Sequence, residues 1–499
     1  MVLRRWAYLL LAALMAGCSI EPLPLTDPEL DSAGLEWSVR AAADHERISR
    51  PLSLYEAMAR ALKYNLSART EALEAAYMLR KLDLVSADQL PQLVAGLDFS
   101  GRNNVNASSS VSVLTWQQSL EPSTSSDRMD AASNLNLSWN ILDFGLSYVR
   151  AHQTADNALI AAEKRRKALH TLLQDVRTAF WKTAAAELLA ERLKGLSARM
   201  SAANEHVRAL ESQDGVSPLF TLTYRREALE LQIEIQRLYA ELSPAKVQLA
   251  ALMNVRPDSP FAVSAPRKPV ALPHALPSFG TMSKAALQKR PEIREAGYNV
   301  RINQREAQVA LLELLPGIGP LLTANTDTNS YLYNPNWVTA GAKASWNLMK
   351  IFAYPQRRAA VDAEAAYLDE KALATAVAIM TEVEVARVNY LQSQERFRIA
   401  QELYDVETSI LKQMSSSQEA GSIGDHILLR QELRALLAEA KKDLAYAEYQ
   451  NAFGMLFVSL GMDFTQDAID GDRSLVALSA ALESDWRLKC KQALKSEAQ

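Results

Sequence analysis

Leu135-Asn136-Leu137-Ser138-Trp139-Asn140-Ile141 and Gly341-Ala342-Lys343-Ala344-Ser345-Trp346-Asn347-Leu348 say the same thing twice, their Trp-Asn pairs 207 residues apart. Each closes a run of alternating apolar and polar residues and opens a very long stretch almost free of Gly and Pro. A duplication of this size sets the architecture before any single residue is interpreted. The register continues: Val176 and Ala179 match Val383 and Ala386 at the same offset of 207, and Leu252-Met253-Asn254 matches Leu460-Gly461-Met462 at 208. Upstream, Leu90-Pro91 and Leu315-Pro316 end the helical patterns that begin at Leu52 and Met282, with an offset of 225. The added length falls in the Asn/Ser/Thr-rich segments 102–129 and 323–336, where changes in loop length cost least.

The alternation predicts strands. Leu135, Leu137, Trp139 and Ile141 share one face in the first copy; Val338, Ala340, Ala342, Ala344, Trp346 and Leu348 share it in the second. Weaker versions precede each loop, at Leu93, Ala95, Leu97 and Phe99 and around Leu322 to Thr326. Segments of roughly ten residues with one apolar and one wet face are what a membrane β-barrel requires. Four strands cannot close a barrel, and about eight is the smallest useful number, so three chains would have to share one of twelve.

The long stretches predict helices. Gln356 to Ala420 spans 65 residues without Gly or Pro, and a continuous helix of that length reaches roughly 100 Å. Val361, Ala365, Leu368, Ala372, Ala376, Ile379, Val383, Ala386 and Tyr390 form its seam at spacings of three and four. The first copy has the matching run from Leu146 to Asp214, interrupted only by Gly195. Each run ends in a turn, Asp214-Gly215-Val216-Ser217-Pro218 or Gly421-Ser422-Ile423-Gly424-Asp425, and a shorter helix returns to about Met253 or Leu460.

Composition narrows the class. With 499 residues, 48% hydrophobic content and a net charge of −4, the chain is neither disordered nor built to bind nucleic acid. Arg4-Arg5, the apolar run Trp6 to Met15 and Ala16-Gly17-Cys18 read as a secretory signal, residues 1–17, too short to span a bilayer once mature. The small pair before Cys18 resembles a bacterial lipobox, with Met15 where Leu is usual; it implies a lipidated, palmitate-bearing Cys18, and Ser19 after it resembles an outer-membrane sorting signal. An ordinary signal peptide with a chance cysteine is the alternative. Cys490, the other cysteine, reads as a spectator near an exposed terminus. The six histidines have no ligand spacing and no phosphate loop is present, so no metal, cofactor or catalytic residue is expected, and the chain does not read as an enzyme. The resulting division is a tether at 18–50, a first repeat at 51–254, a Pro-rich linker at 255–279, a second repeat at 280–463 and a tail at 464–499.

Order and lengths together resemble the TolC-like outer-membrane factor family, in its lipoprotein branch, over nearly the whole chain from Cys18 to about Asp463. The resemblance implies a mainly α fold with a small β part: a trimer with a twelve-stranded outer-membrane barrel continued by a periplasmic α-helical tunnel. It implies a Gram-negative outer-membrane location and the passive exit duct of a tripartite efflux or type I secretion system, with a periplasmic adaptor and an inner-membrane transporter as partners. It places the helix-tip turns at the gate and adaptor contact, making Asp214, Gly215, Gly421, Gly424 and Asp425 candidates there. The family pattern of Gly, five residues, Asp, an aliphatic residue and Leu is met at Gly421, Leu428 and Leu429 but has Ile427 at the Asp position. Asp214 and Asp425 have a second reading as turn and cap residues. Trp139, Trp346, Tyr331 and Tyr333 are candidates for an aromatic girdle, against plain packing at a barrel-to-tunnel junction. The rival architecture is a lipid-anchored periplasmic coiled-coil scaffold that never crosses the membrane; it leaves the paired strands unexplained.

Overall fold

The computed structural model describes residues 23–42, 46–211, 218–256, 259–264, 272–273, 275–419, 425–462, 464 and 473–495. After helix α1 (Asp27–Ala42), the first repeat runs α2 (Leu54–Tyr64), α3 (Leu66–Ala87), β1 (Gln92–Gly101), a small hairpin of β2 (Ala107–Ser108) and β3 (Ser123–Thr124), β4 (Met129–Ser138), α4 (Ile141–Glu211), α5 (Pro218–Leu242) and α6 (Pro244–Leu252). The second runs α7 (Phe279–Lys289), α8 (Pro291–Leu312), β5 (Gly317–Asp327), β6 (Asn336–Ser345), α9 (Met349–Glu419) and α10 (Asp425–Ser459). α11 (Leu475–Lys495) follows. The fold is mainly helical with a small sheet, and the repeats match closely: α2 and α7 each have 11 residues, α3 and α8 each 22, α4 and α9 each 71.

Local chemistry sets the breaks. The helical patterns from Leu52 and Met282 each divide in two. Asn65 ends α2 in extended conformation and its side chain accepts from the Ala68 N–H to start α3; at the equivalent joint Arg290 turns and Pro291 occupies the first position of α8. Gly195 does not interrupt α4, because a lone glycine inside a packed helix costs only about 1 kcal/mol. Pro244, lacking an N–H, breaks the return helix of the first repeat into α5 and α6, whereas α10 is continuous. Asn140 and Asn347 open the long helices, their Oδ1 atoms accepting from the N–H groups of Leu142 and Met349.

The return helices end alike. Asn254 (φ 54°) and Gly461 (φ 64°) adopt the left-handed conformation, and the next N–H, of Val255 or Met462, reaches back to the carbonyl of Ala250 or Phe457. This pairs Asn254 with Gly461 at an offset of 207, so the alignment of Leu252 with Leu460 at 208 is one residue out of register. Matching leucines misled it where the backbone requirement was decisive. A Cβ on Gly461 would also lie 2.9 Å from the Arg290 backbone nitrogen, so this turn needs glycine for space as well as for φ.

The long-helix seam packs inward: Val361, Ile379, Val383, Ala386 and Tyr390 are buried and the alanines between them are half-buried. α9 packs on α10, α8 and α7, while α4 packs on α3, α8, α10, α6, α5 and α2. Within the linker, Ala262-Val263-Ser264 pairs with Leu52. The stretch read as a tail instead carries α11, which packs on α2 and buries Leu478, Leu482 and Trp486. Cys490 is therefore buried among Tyr390, Phe453 and Trp486 and not on an exposed terminus. Among the described residues, no helix is long and apolar enough to cross a membrane and no group of three or more His, Cys, Asp or Glu side chains could hold a metal.

Candidate channel site: a two-faced sheet on long helices

The four long strands form one antiparallel sheet in the order β1-β4-β5-β6, which joins the repeats through β4 and β5 and leaves β1 and β6 as open edges. Cross-strand register sorts the faces. Leu93, Leu137, Leu322 and Ala340 lie in one row, and Ala95, Leu135, Ala324 and Val338 in the next. Between them, facing the other way, are Val94, Asn136, Thr323 and Thr339, then Gly96, Asn134, Asn325 and Trp337. The face carrying Leu93, Leu97, Phe99, Leu135, Leu322 and Val338 is exposed in the single chain, a contiguous apolar surface of the kind that marks a contact with lipid or protein.

The lower edge of that apolar band is at Leu93 on β1, Trp139 just past β4, Ile318 on β5 and Trp346 just past β6. By register, each of these begins two residues nearer the helices than the one before. A step of two residues per strand is roughly 7 Å along the chain against about 4.8 Å across, so a level band implies strands tilted by roughly 55°. Tilted strands crossing a flat apolar slab are what a membrane barrel needs, with 35–45° the usual range.

The two tryptophans occupy identical positions at the sheet-to-helix junction. Trp139 Nε1 donates to the Gln89 carbonyl at 3.2 Å and Trp346 Nε1 to the Leu314 carbonyl at 2.9 Å. Gln89 and Leu314 are equivalents at the offset of 225, each just before its Leu-Pro. Each indole thus caps the chain where a short helix turns into a strand. Tyr331 and Tyr333 lie in the β5–β6 loop at the opposite end of the sheet, and Tyr333 is 97% exposed. In that region Asp127 accepts from both the N–H and the hydroxyl of Ser330, and Asn329 donates to the Ser125 carbonyl, so the long first loop is latched to the short second one.

Below the sheet, charged side chains that no local pattern announces join the repeats. Asp156 on α4, 2% exposed, is held by Arg301 and Arg305 of α8. Glu313 pairs with Arg357, Lys350 and Arg150, and Glu306 with Arg357 and Gln153. Burial pushes the Glu306 carboxyl upward, but the hydrogen bonds from Gln153 and Arg357 outweigh it and hold the group below its ordinary value.

At the other end of the long helices, Asp214, Gly215, Gly421 and Gly424 lie outside the described residues, as does Cys18. Asp425 is the first residue of α10. Toward that end α9 turns a second stripe away from α10: Ile399, Leu403, Val406 and Ile410, spaced by four, three and four, are all exposed. The inward seam was legible in the sequence, whereas this outward one was hidden among its charged neighbours.

Residues 282–462 match the family model described as outer membrane efflux protein. No curated relative matches the sequence. Among solved structures, the outer-membrane channel OprN superposes with a TM-score of 0.63 at 18% identity, over 85% of this chain and 95% of that one. The CmeC outer membrane channel of Campylobacter jejuni gives 0.63 at 12% identity, over 94% and 97%. The open state of the MtrE outer membrane channel of Neisseria gonorrhoeae gives 0.61 at 16%, over 84% and 94%. Residues 282–462 thus match the outer membrane efflux protein family, and the chain shares its fold with these solved outer-membrane channels.

Proposed function

We propose that three copies of this chain form a passive exit duct through the outer membrane, serving a tripartite efflux or type I secretion system. The observation that carries this is the sheet: an apolar band on one face, mostly polar side chains on the other and two unpaired edges. Unpaired backbone groups cost several kcal/mol each inside a bilayer, so β6 of one chain must pair with β1 of the next until the ring closes. The outward stripe of Ile399, Leu403, Val406 and Ile410 supports the same trimer, as a second coiled-coil seam toward a neighbouring chain. Trp139 and Trp346 at one end of the strands, and Tyr331 and Tyr333 at the other, would form the two girdles of the membrane interface.

In this reading Cys18 carries the lipid anchor. Asp214, Gly215, Gly421, Gly424 and Asp425 form the gate that a periplasmic adaptor opens, and an inner-membrane transporter supplies the energy. Purified protein should run as a heat-modifiable trimer and conduct ions in planar bilayers; a soluble, non-conducting monomer after delipidation would favour the scaffold. Asp425→Asn should weaken cation preference if its carboxylate lies in the gate. Unchanged preference leaves Asp425 as a helix cap. Mass spectrometry of the mature N-terminus should find acylated Cys18, and an unmodified cysteine would remove the anchor.

A further inference from the structure

Three arginines are buried among the described residues, and two of them meet carboxylates: Arg60 pairs with Glu56, and Arg290 with Glu292 and Glu382. Arg177 on α4, 3% exposed, meets none among the described residues. Its guanidinium lies 3.7 Å from the ring centroid of Trp486 on α11, and the Tyr55 phenol and the Cys490 thiol near it are both neutral at physiological pH. Burial lowers its pKa to about 10, which still leaves it charged. At the equivalent position, 207 residues on, the second repeat has a half-buried glutamate, Glu384, paired with Arg387. The buried cation therefore belongs to the surface that α11 covers in the first repeat alone.

Beside Arg177 is a cavity of about 20 Å³, lined also by His170, Gln174, Trp486 and Lys489. Lys489 has its counter-charge in Asp485 at 2.6 Å, which leaves the charge of Arg177 to be answered. A buried charge is paired or strongly disfavoured, and a ring face offsets only part of the deficit. The volume limits the occupant to one small sphere, a water or a monatomic ion, because one such sphere needs about 10–15 Å³; phosphate, sulfate and carboxylate ligands are too large. The unanswered charge of Arg177 selects the anion over the water. Gly454 on α10 makes the crossing possible, since a Cβ there would meet the Gln174 side chain and the Arg177 stem. We propose that this cavity binds a single chloride ion, held by Arg177 with the second N–H of the Gln174 amide, whose first donates to the Asn451 carbonyl at 3.2 Å, and that the ion locks α11 onto α4 and α10.

The test uses the whole trimer at constant ionic strength, with chloride exchanged for gluconate. The melting temperature should rise by a few degrees as chloride is added and then grow only with its logarithm, and Arg177→Leu should abolish that dependence. Bromide-soaked crystals of the unaltered protein should show one anomalous peak against the guanidinium. If Arg177→Leu does not fold, the bromide peak and the chloride response of Gln174→Leu, expected to need several-fold more chloride, decide. Identical melting in chloride and gluconate with no bromide peak, or a side-chain carboxylate found against Arg177, would overturn the proposal.

Discussion

The two repeats share the lengths of α2 and α7, α3 and α8, and α4 and α9, and each gives two long strands, yet they differ at the seams of the sheet. Inside the chain, β4 meets β5, and a Cβ on Gly319 would overlap the Trp139 carbonyl oxygen as the backbone leaves the sheet for α4. At the offset of 225 the first repeat has Val94 in place of Gly319 and Gln92 in place of Gly317. β1 is an open edge in the single chain, so nothing there demands a glycine. The duplication is thus close in topology and broken in packing. A seam folded within one chain admits a closer approach than a seam made between chains, where the partners arrive already shaped.

That contrast is most sharply tested by exchanging the two residues. Gly319→Val forces a side chain into backbone, which cannot yield as a side chain would. It should cost about 3 kcal/mol or more and show as lost trimer in heat-modifiability gels. Val94→Gly should cost about 1 kcal/mol, the usual penalty for glycine in a strand. Equal losses would mean that the seams are equivalent after all.

The next largest asymmetry is Asp156. Its equivalent at 207 residues is Ala363, exposed on α9, so the clamp of Arg301 and Arg305 joins the repeats on one side only. Asp156→Ala leaves two cations facing each other across a closed joint. Because the side chains of both arginines keep some solvent access, 46% and 20%, the loss should fall near the low end for a broken buried pair, about 3 kcal/mol. Chemical denaturation reads it. Additional charge removal in Asp156→Ala/Arg305→Ala should recover part of the loss, and no recovery would mean that packing rather than charge holds the joint.

How much of this was readable beforehand follows from the range of each interaction. Leu93 to Phe99, Leu135 to Ile141 and Val338 to Trp346 announce two-faced strands because alternation is local, and the Val361 to Tyr390 seam announces a buried helix face for the same reason. Asn65 and Pro291 are local signals too, but they were overridden by the hydrophobic pattern running across them. Asp156 with Arg301, or Arg177 under Trp486, could not be read. Those partners are 145 and 309 residues apart, and their meeting depends on the placement of α8 and α11. The short stretch after Asp463 gave no sign that it would cover the first repeat. Of the residues proposed for the gate, Asp214, Gly215, Gly421 and Gly424 lie outside the described residues.

The burial of α11 on one repeat has a consequence at high pH. Burial lifts the Cys490 thiol from its ordinary 9.0 to about 11, and the Tyr55 hydroxyl from 10.0 to about 12. The folded state keeps these protons where the unfolded chain gives them up. Their contribution is therefore complete below pH 9, and stability declines as pH rises through 11. For Cys490 the change is on the order of 2 kcal/mol. A melting series from pH 8 to 11 should fall along this window, and Cys490→Ala should flatten its lower half. An unaltered slope in that variant would assign the decline to Tyr55 or to surface lysines.

The smallest effect separates the twin tryptophans. Each indole N–H satisfies one carbonyl, so Trp139→Phe and Trp346→Phe should each cost about 1 kcal/mol when that carbonyl loses its donor. They should differ in what the loss disturbs. Trp139 sits at the seam between β4 and β5 with Phe144 edge-on at 5.6 Å, so its replacement should lower the unfolding temperature of the chain. Trp346 borders β6, the open edge, so its replacement should lower the temperature at which trimers dissociate while leaving unfolding nearly unchanged. If both substitutions lower the same transition by the same amount, the indoles act only as girdle residues at a common depth and the seams do not distinguish them. If they separate, each Trp-Asn marks a different joint: one made by folding, the other by assembly.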